Sequence, residues 1–129
     1  MEENETAVLI FDRDGEAWAF PRLEDAAESM DSTAVLDGEY EAAFTLDGQV
    51  VAINGIRNGP VLLEVTQESD ELALQEFLRK SQTRMAFTSD PEDPAAVANE
   101  LIRMEWERRS PHLPKWMRRR LYGDQPPQV

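Results

Sequence analysis

Asp12-Arg-Asp-Gly-Glu16 sets carboxylates at alternate positions around a glycine, the start of a loop that can wrap a calcium ion. The spacing that follows lacks the third ligand and the terminal glutamate of an EF-hand. The same five residues suit a hairpin turn with Gly15 in the left-handed region, and that is the expected reading. Two further groups, Asp37/Glu39/Glu41 and Asp90/Glu92/Asp93, could gather carboxylates for acid–base work. Glu39 and Glu41 are expected to alternate onto the outer face of a strand, and nothing in either group marks a general acid of shifted pKa. His112 is the only histidine and there is no cysteine. Thiolate catalysis and disulfides are therefore excluded, and a zinc site would need ligands that are almost wholly carboxylates. No serine or aspartate stands at a triad spacing. Gly55 and Gly59 bracket a strand-to-strand connection instead of a phosphate-cradling turn into a helix. The chain reads as a non-enzyme, with no catalytic residue, metal ligand or cofactor expected.

Charge carries more information than any of these groups. The 129 residues have a formal net charge of −13. Residues 1–100 hold 23 acidic and 6 basic side chains and residues 101–129 hold 3 and 7, so an acidic body ends in a basic segment. Such a body attracts basic proteins and repels nucleic acid and anionic membrane. The expected partner-binding surface is Glu24, Asp25, Glu28 and Asp31, with Glu39 and Glu41 following closely in sequence. The alternative recognition element is the basic end, where Lys115, Arg118, Arg119 and Arg120 interleave with Trp116 and Tyr122. The charges that oppose an approach to phosphates attract this segment, so it is expected to dock on its own body. Trp106, Trp116 and Leu121 would then cover apolar sheet.

The elements that must position these residues follow from periodicity. Ala7–Phe11 is apolar on both faces, as in a strand covered on both sides. Glu16–Phe20 returns as its hairpin partner, with Trp18 and Phe20 on one face and alanines on the other. Pro21 opens a helix on which Leu23, Ala26, Ala27 and Met30 form the apolar stripe and Glu24, Asp25, Glu28 and Asp31 the opposite face. Asp47-Gly48 suggests a two-residue type I′ turn, which pairs Leu46 with Gln49, Phe44 with Val51 and Ala42 with Ile53. Tyr40, Ala42, Phe44, Val51 and Ile53 would then share one apolar face. Val61–Thr66 is a fifth strand. Ser69 is expected to cap a helix with Leu74, Phe77, Leu78, Ser81 and Met85 buried and with its charges ordered to suit the helix dipole. Asp93-Pro94 starts another helix, which runs to about Arg109 with Val97, Leu101 and Met104 on one line and Ala98, Ile102 and Trp106 beside it. A short helix from Pro114 and a tail from Gly123 complete the chain.

The expected fold is α+β: an antiparallel sheet of about five strands, helices packed on one face and a helical C-terminal extension. Residues 1–110 form the acidic domain and 111–129 the basic segment docked on it. The layout of Phe20-Pro-Arg-Leu-Glu-Asp-Ala-Ala27 and Leu36-Asp-Gly-Glu-Tyr-Glu-Ala-Ala-Phe44, followed by a strand–helix unit, resembles small acidic proteins from actinobacteria over roughly residues 7–80. Some of these look like immunity proteins for secreted toxins. The resemblance implies a small acidic immunity or inhibitor protein that neutralises a basic partner, possible toxins included, and it brings no catalytic residues. The alternative is a regulatory or scaffold protein acting through its basic-aromatic end. The acidic Met1–Glu5 has the wrong sign for a secretion signal and no stretch has the length of a membrane span, so the cytoplasm is the expected compartment.

Overall fold

Val8, Leu9, Ile10 and Phe11 are all at most 1% exposed, and that burial organises the sheet around them. The computed structural model describes residues 6–109. In chain order the elements are β1 (Val8–Asp12), β2 (Ala17–Phe20), α1 (Leu23–Ser29), α2 (Ser32–Leu36), β3 (Tyr40–Thr45), β4 (Gln49–Gly55), β5 (Val61–Ser69), α3 (Glu71–Met85) and α4 (Pro94–Arg109). The five strands form one antiparallel sheet in the order β2-β1-β3-β4-β5. The α+β class and the five-stranded antiparallel sheet are as the sequence implies. β1 takes β2 on one side and β3 on the other, so the two hairpins join through their first strands.

Both sheet faces are covered. Leu9, Phe11, Ala17 and Phe44 pack with Leu74 and Leu78 of α3 and with Val97, Ala98 and Leu101 of α4. Val8, Ile10, Ala43 and Val51 pack with Leu23 and Ala26 of α1. The two long helices share one face, as expected of all the helices, while the short α1 takes the other. It does so because Trp18, Phe20 and Val8 leave apolar surface there that only an adjacent element can bury. Phe11, Phe44 and Phe77 form the tie between sheet and α3. The Phe11 and Phe77 rings stack at 5.0 Å and Phe11 meets Phe44 edge-on at 6.1 Å.

The central hairpin differs from the two-residue turn by one residue. Phe44 pairs with Val50, not Val51. The Gly48 N–H donates to the Thr45 carbonyl at 3.1 Å, and Gln49 N–H donates to Thr45 Oγ1 at 3.1 Å. Leu46 and Asp47 are the central turn residues, and of Asp47 and Gly48 only Gly48 has positive φ, at 89°. This is the three-residue connection with a left-handed glycine after an ordinary turn. Phe44 and Val51 therefore lie on opposite faces. Choosing the register by collecting apolar residues on one face assumes that the other face is wet, and here both are dry. One smaller difference follows from local hydrogen bonding. Asp70 caps α3, accepting from Ala73 N–H at 3.0 Å, while Ser69 ends β5. Asp93 caps α4 as expected, accepting from Ala96 N–H at 3.2 Å.

The observed turn makes a mutational prediction. A Cβ on Gly48 would lie 2.7 Å from Glu71 Cγ and 3.3 Å from Glu71 Cα, at a φ that L-residues resist. Gly48→Ala is expected to lower unfolding free energy by about 2 kcal/mol in urea titration. Asp47→Ala, at an exposed site of ordinary φ, is expected to change it by less than about 0.5 kcal/mol. Comparable losses from both would restore the two-residue turn.

Candidate functional site

The six carboxylates proposed as a surface do not stand in one row. α1 ends at Ser29, and Met30 is extended, so the helix is too short to carry Asp31 on its face. Asp31 instead caps α2, its Oδ1 accepting from Thr33 N–H at 2.9 Å. The α2 turn was absent from the sequence expectation because Ser32–Leu36 is too short to show periodicity. Asp25 is held by Arg22, with Nη2 to Oδ1 at 3.0 Å and Nε to Oδ2 at 3.3 Å. The pair is largely exposed and contributes little to stability. The Asp25 hydrogen bond and charge, with smaller contributions from Glu24 and Glu28, raise the Arg22 pKa. Glu24 and Glu28 are exposed on the solvent side of α1.

Glu39 precedes β3, and Glu41 is the extra residue of a bulge, because Phe11 pairs with Ala42 while Asp12 pairs with Tyr40. The two glutamates therefore do not alternate along a regular strand face, although both are exposed. Tyr40 lies partly buried between them in sequence. Burial first, then the charges of Glu39, Asp31 and Asp12, push its phenol pKa up. Asp12, Asp31 and Glu39 thus each act on the Tyr40 phenol, while Glu24 and Glu28 sit on α1.

The loop that suggested calcium is a hairpin turn. Asp12 Oδ1 accepts from the N–H groups of Asp14 and Glu16 at 2.9 and 3.0 Å, and Oδ2 accepts from Trp18 Nε1 at 3.3 Å. Its lone pairs are taken by the turn itself, and Gly15 has the expected positive φ, 86°. Asp90 is likewise engaged, accepting from Glu92 N–H at 2.9 Å. Among the described residues no three metal-ligating side chains converge, and no helix is long and apolar enough to cross a membrane. Lys115, Trp116, Arg118, Arg119, Arg120 and Tyr122 lie outside the described residues, with His112, Leu121 and the division at residue 110.

One carboxylate with a built environment escaped the sequence reading. Glu100 on α4 is 9% exposed and closes the 86–93 loop over the helix. It accepts from Thr88 N–H at 2.8 Å, Ser89 N–H at 2.7 Å and Ser89 Oγ at 2.6 Å, with Thr88 Oγ1 at 3.3 Å. Burial by itself would raise its pKa, but the Ser89 and Thr88 donors together outweigh burial and hold the carboxyl below its ordinary value. The available signal was its position three residues after Val97 and four before Met104, an acid on an apolar stripe. Ser89 Oγ also reaches the Ala96 carbonyl at 3.3 Å, so the arrangement is a clasp with every lone pair engaged. It leaves no acceptor for a substrate.

No protein-family model, curated protein or solved structure matches this chain.

The Glu100 clasp predicts a pH dependence. A depressed folded pKa adds stability above the unfolded carboxyl value of about 4.3, and that stability is lost as pH falls through the folded value. Glu100→Gln is expected to cost about 1.5–3 kcal/mol at neutral pH, the range for hydrogen bonds to a charged group. The gap between wild type and variant should close in acid, measured by denaturant titration across pH. A gap that stays constant with pH would show that the carboxylate charge does not hold the loop.

Proposed function

We propose that this protein is a non-catalytic binding module, a small acidic inhibitor of the immunity type that neutralises a basic protein partner. The observation that carries the reading is the pair Glu24 and Glu28, exposed on α1 beside a single guanidinium that Asp25 already holds. Carboxylates needed for folding are engaged: Asp12 in its turn, Asp31, Asp70 and Asp93 at caps, Glu100 in its clasp. Glu24, Glu28, Glu39 and Glu41 have no such duty and remain exposed. Glu24 in the first turn suits the helix dipole, but Glu28 near the other end opposes it and repels Glu24 by a few tenths of a kcal/mol, roughly, so local stability gives no reason for Glu28. A field of this sign accelerates capture of a cationic surface and rejects phosphates. In this reading the protein acts in the cytoplasm and carries neither cofactor nor metal.

The test separates steering from folding. Glu24→Lys with Glu28→Lys is expected to leave the thermal midpoint nearly unchanged, because both sites are exposed. Against the basic protein that co-purifies from the native host, the double variant should associate about tenfold more slowly at low ionic strength. The difference should vanish as salt shortens the screening length to about 10 Å and below. Equal rates at low salt would remove α1 from the interface.

A further inference from the structure

The two edges of the sheet are treated differently. At the β2 edge, Ala17 N–H donates to Met85 Sδ of α3 at 3.2 Å, and α4 packs along the strand. At the other edge, β5 pairs with β4 alone, and no described residue extends the sheet beyond it. Its register with β4 is regular from Val61 to Val65 and shifts only farther along, between the partners of Gln49 and Val51.

The free groups can be assigned. Ile56 N–H donates to the Pro60 carbonyl at 3.2 Å, so that pair is the hydrogen-bonded kind. Alternation along an antiparallel ladder then turns the amides of Leu62 and Glu64 toward β4. The amides and carbonyls of Val61, Leu63 and Val65 face outward. Proteins usually blunt such an edge with lysine, proline or a short strand. β5 is nine residues long and has no lysine, arginine or proline. Beside the edge, Leu62 is 51% exposed and Ile56 45%. The charges on the strand are Glu64 and Glu68, both exposed, and α1 with Glu24 and Glu28 packs against the same strand. Arg57, in the β4–β5 loop, is the nearest cation in sequence.

We infer that the β5 edge over Val61–Val65 is a docking site for an extended segment of a basic protein, which adds as a sixth strand. This deepens the proposed function by naming the part of the surface that would hold the partner after α1 attracts it. Main-chain hydrogen bonds to Val61, Leu63 and Val65 would give affinity. Lysine or arginine at alternate positions would meet Glu64 with their stems over Leu62, which shares its face, and the apolar residues between them would extend the face of Leu63 and Val65. A second copy is the wrong occupant, because it would set Glu64 and Glu68 against their own kind on bodies that each carry −13. Of the chain's own end only 115–125 is free of proline, since Pro111, Pro114, Pro126 and Pro127 cannot donate to a ladder, and exchange measured without peptide tests whether that stretch fills the edge.

The probe is a short blocked peptide of alternating lysine and valine, added to the full chain labelled for amide hydrogen exchange. Exchange at Val61, Leu63 and Val65 is expected to slow about tenfold or more, while Leu62 and Glu64, already bonded to β4, stay as they were. Val65→Pro removes an outward N–H without touching the β4 ladder and should abolish the protection. Val65→Ala, with the same loss of packing, should retain it. The same peptide with glutamate in place of lysine should not protect. The inference is overturned if the lysine peptide protects nothing, or if Val65→Ala and Val65→Pro behave alike. Protection already present without peptide also overturns it. In that case sedimentation reports whether a second copy or the chain's own end fills the edge. Edge protection that survives Glu24→Lys with Glu28→Lys would leave this inference standing even if α1 proved to play no part in capture.

Discussion

A central strand with no wet face is the constraint on which the rest of the structure depends. β1 buries Val8 and Ile10 on one side and Leu9 and Phe11 on the other. Hydrophobic side chains exposed to water on either side would cost about 1.5–3 kcal/mol each, so both faces require a cover. α3 and α4 supply one cover through Leu74, Leu78, Val97 and Leu101, and α1 supplies the other through Leu23 and Ala26. The shortness of α1 is tolerable because it is held by tertiary packing and not by its own hydrogen bonds.

That packing sorts the carboxylates. A chain this acidic is pushed toward unfolding by self-repulsion, and the fold offsets part of the repulsion by giving several acids a structural duty. Asp12, Asp31, Asp70, Asp93 and Glu100 each accept backbone N–H groups that a turn or helix start would otherwise leave unpaired. What remains exposed, Glu24 and Glu28 on α1 included, is charge that these turns and caps do not use. The contrast between engaged and free carboxylates is more informative than the total of either.

Coverage of the sheet is similarly unequal at its edges. The two long helices follow β5 in the chain but return to the β1–β2 side, because Phe77 and Leu78 find Phe11 and Phe44 there. The β2 edge is shielded as a consequence, and β5 is left with a row of outward amides flanked by acids. Charge and backbone geometry therefore converge on the same part of the molecule, where α1 packs against β5.

The sequence by itself determined every element type except the short α2, together with the β1–β2 hairpin, the α+β class and the stripes of α3 and α4, because each rests on local periodicity or turn chemistry. Asp93-Pro94 and Gly15 were legible for the same reason: a cap and a left-handed glycine are short-range requirements. Only tertiary structure decided the register of β3 against β4. Asp47-Gly48 is compatible with two turn geometries, and the choice depends on Phe44 meeting Phe11 and Phe77 from distant parts of the chain. It also decided which carboxylates are free. Asp31 looked like one more acid on a helix face until the helix ended at Ser29 and Asp31 turned to cap the next. Glu100 stands on an apolar stripe of α4, and only a loop eleven residues upstream, closing on it, gives its carboxylate a role. In each case the local pattern allowed two outcomes, and a contact distant in sequence chose between them.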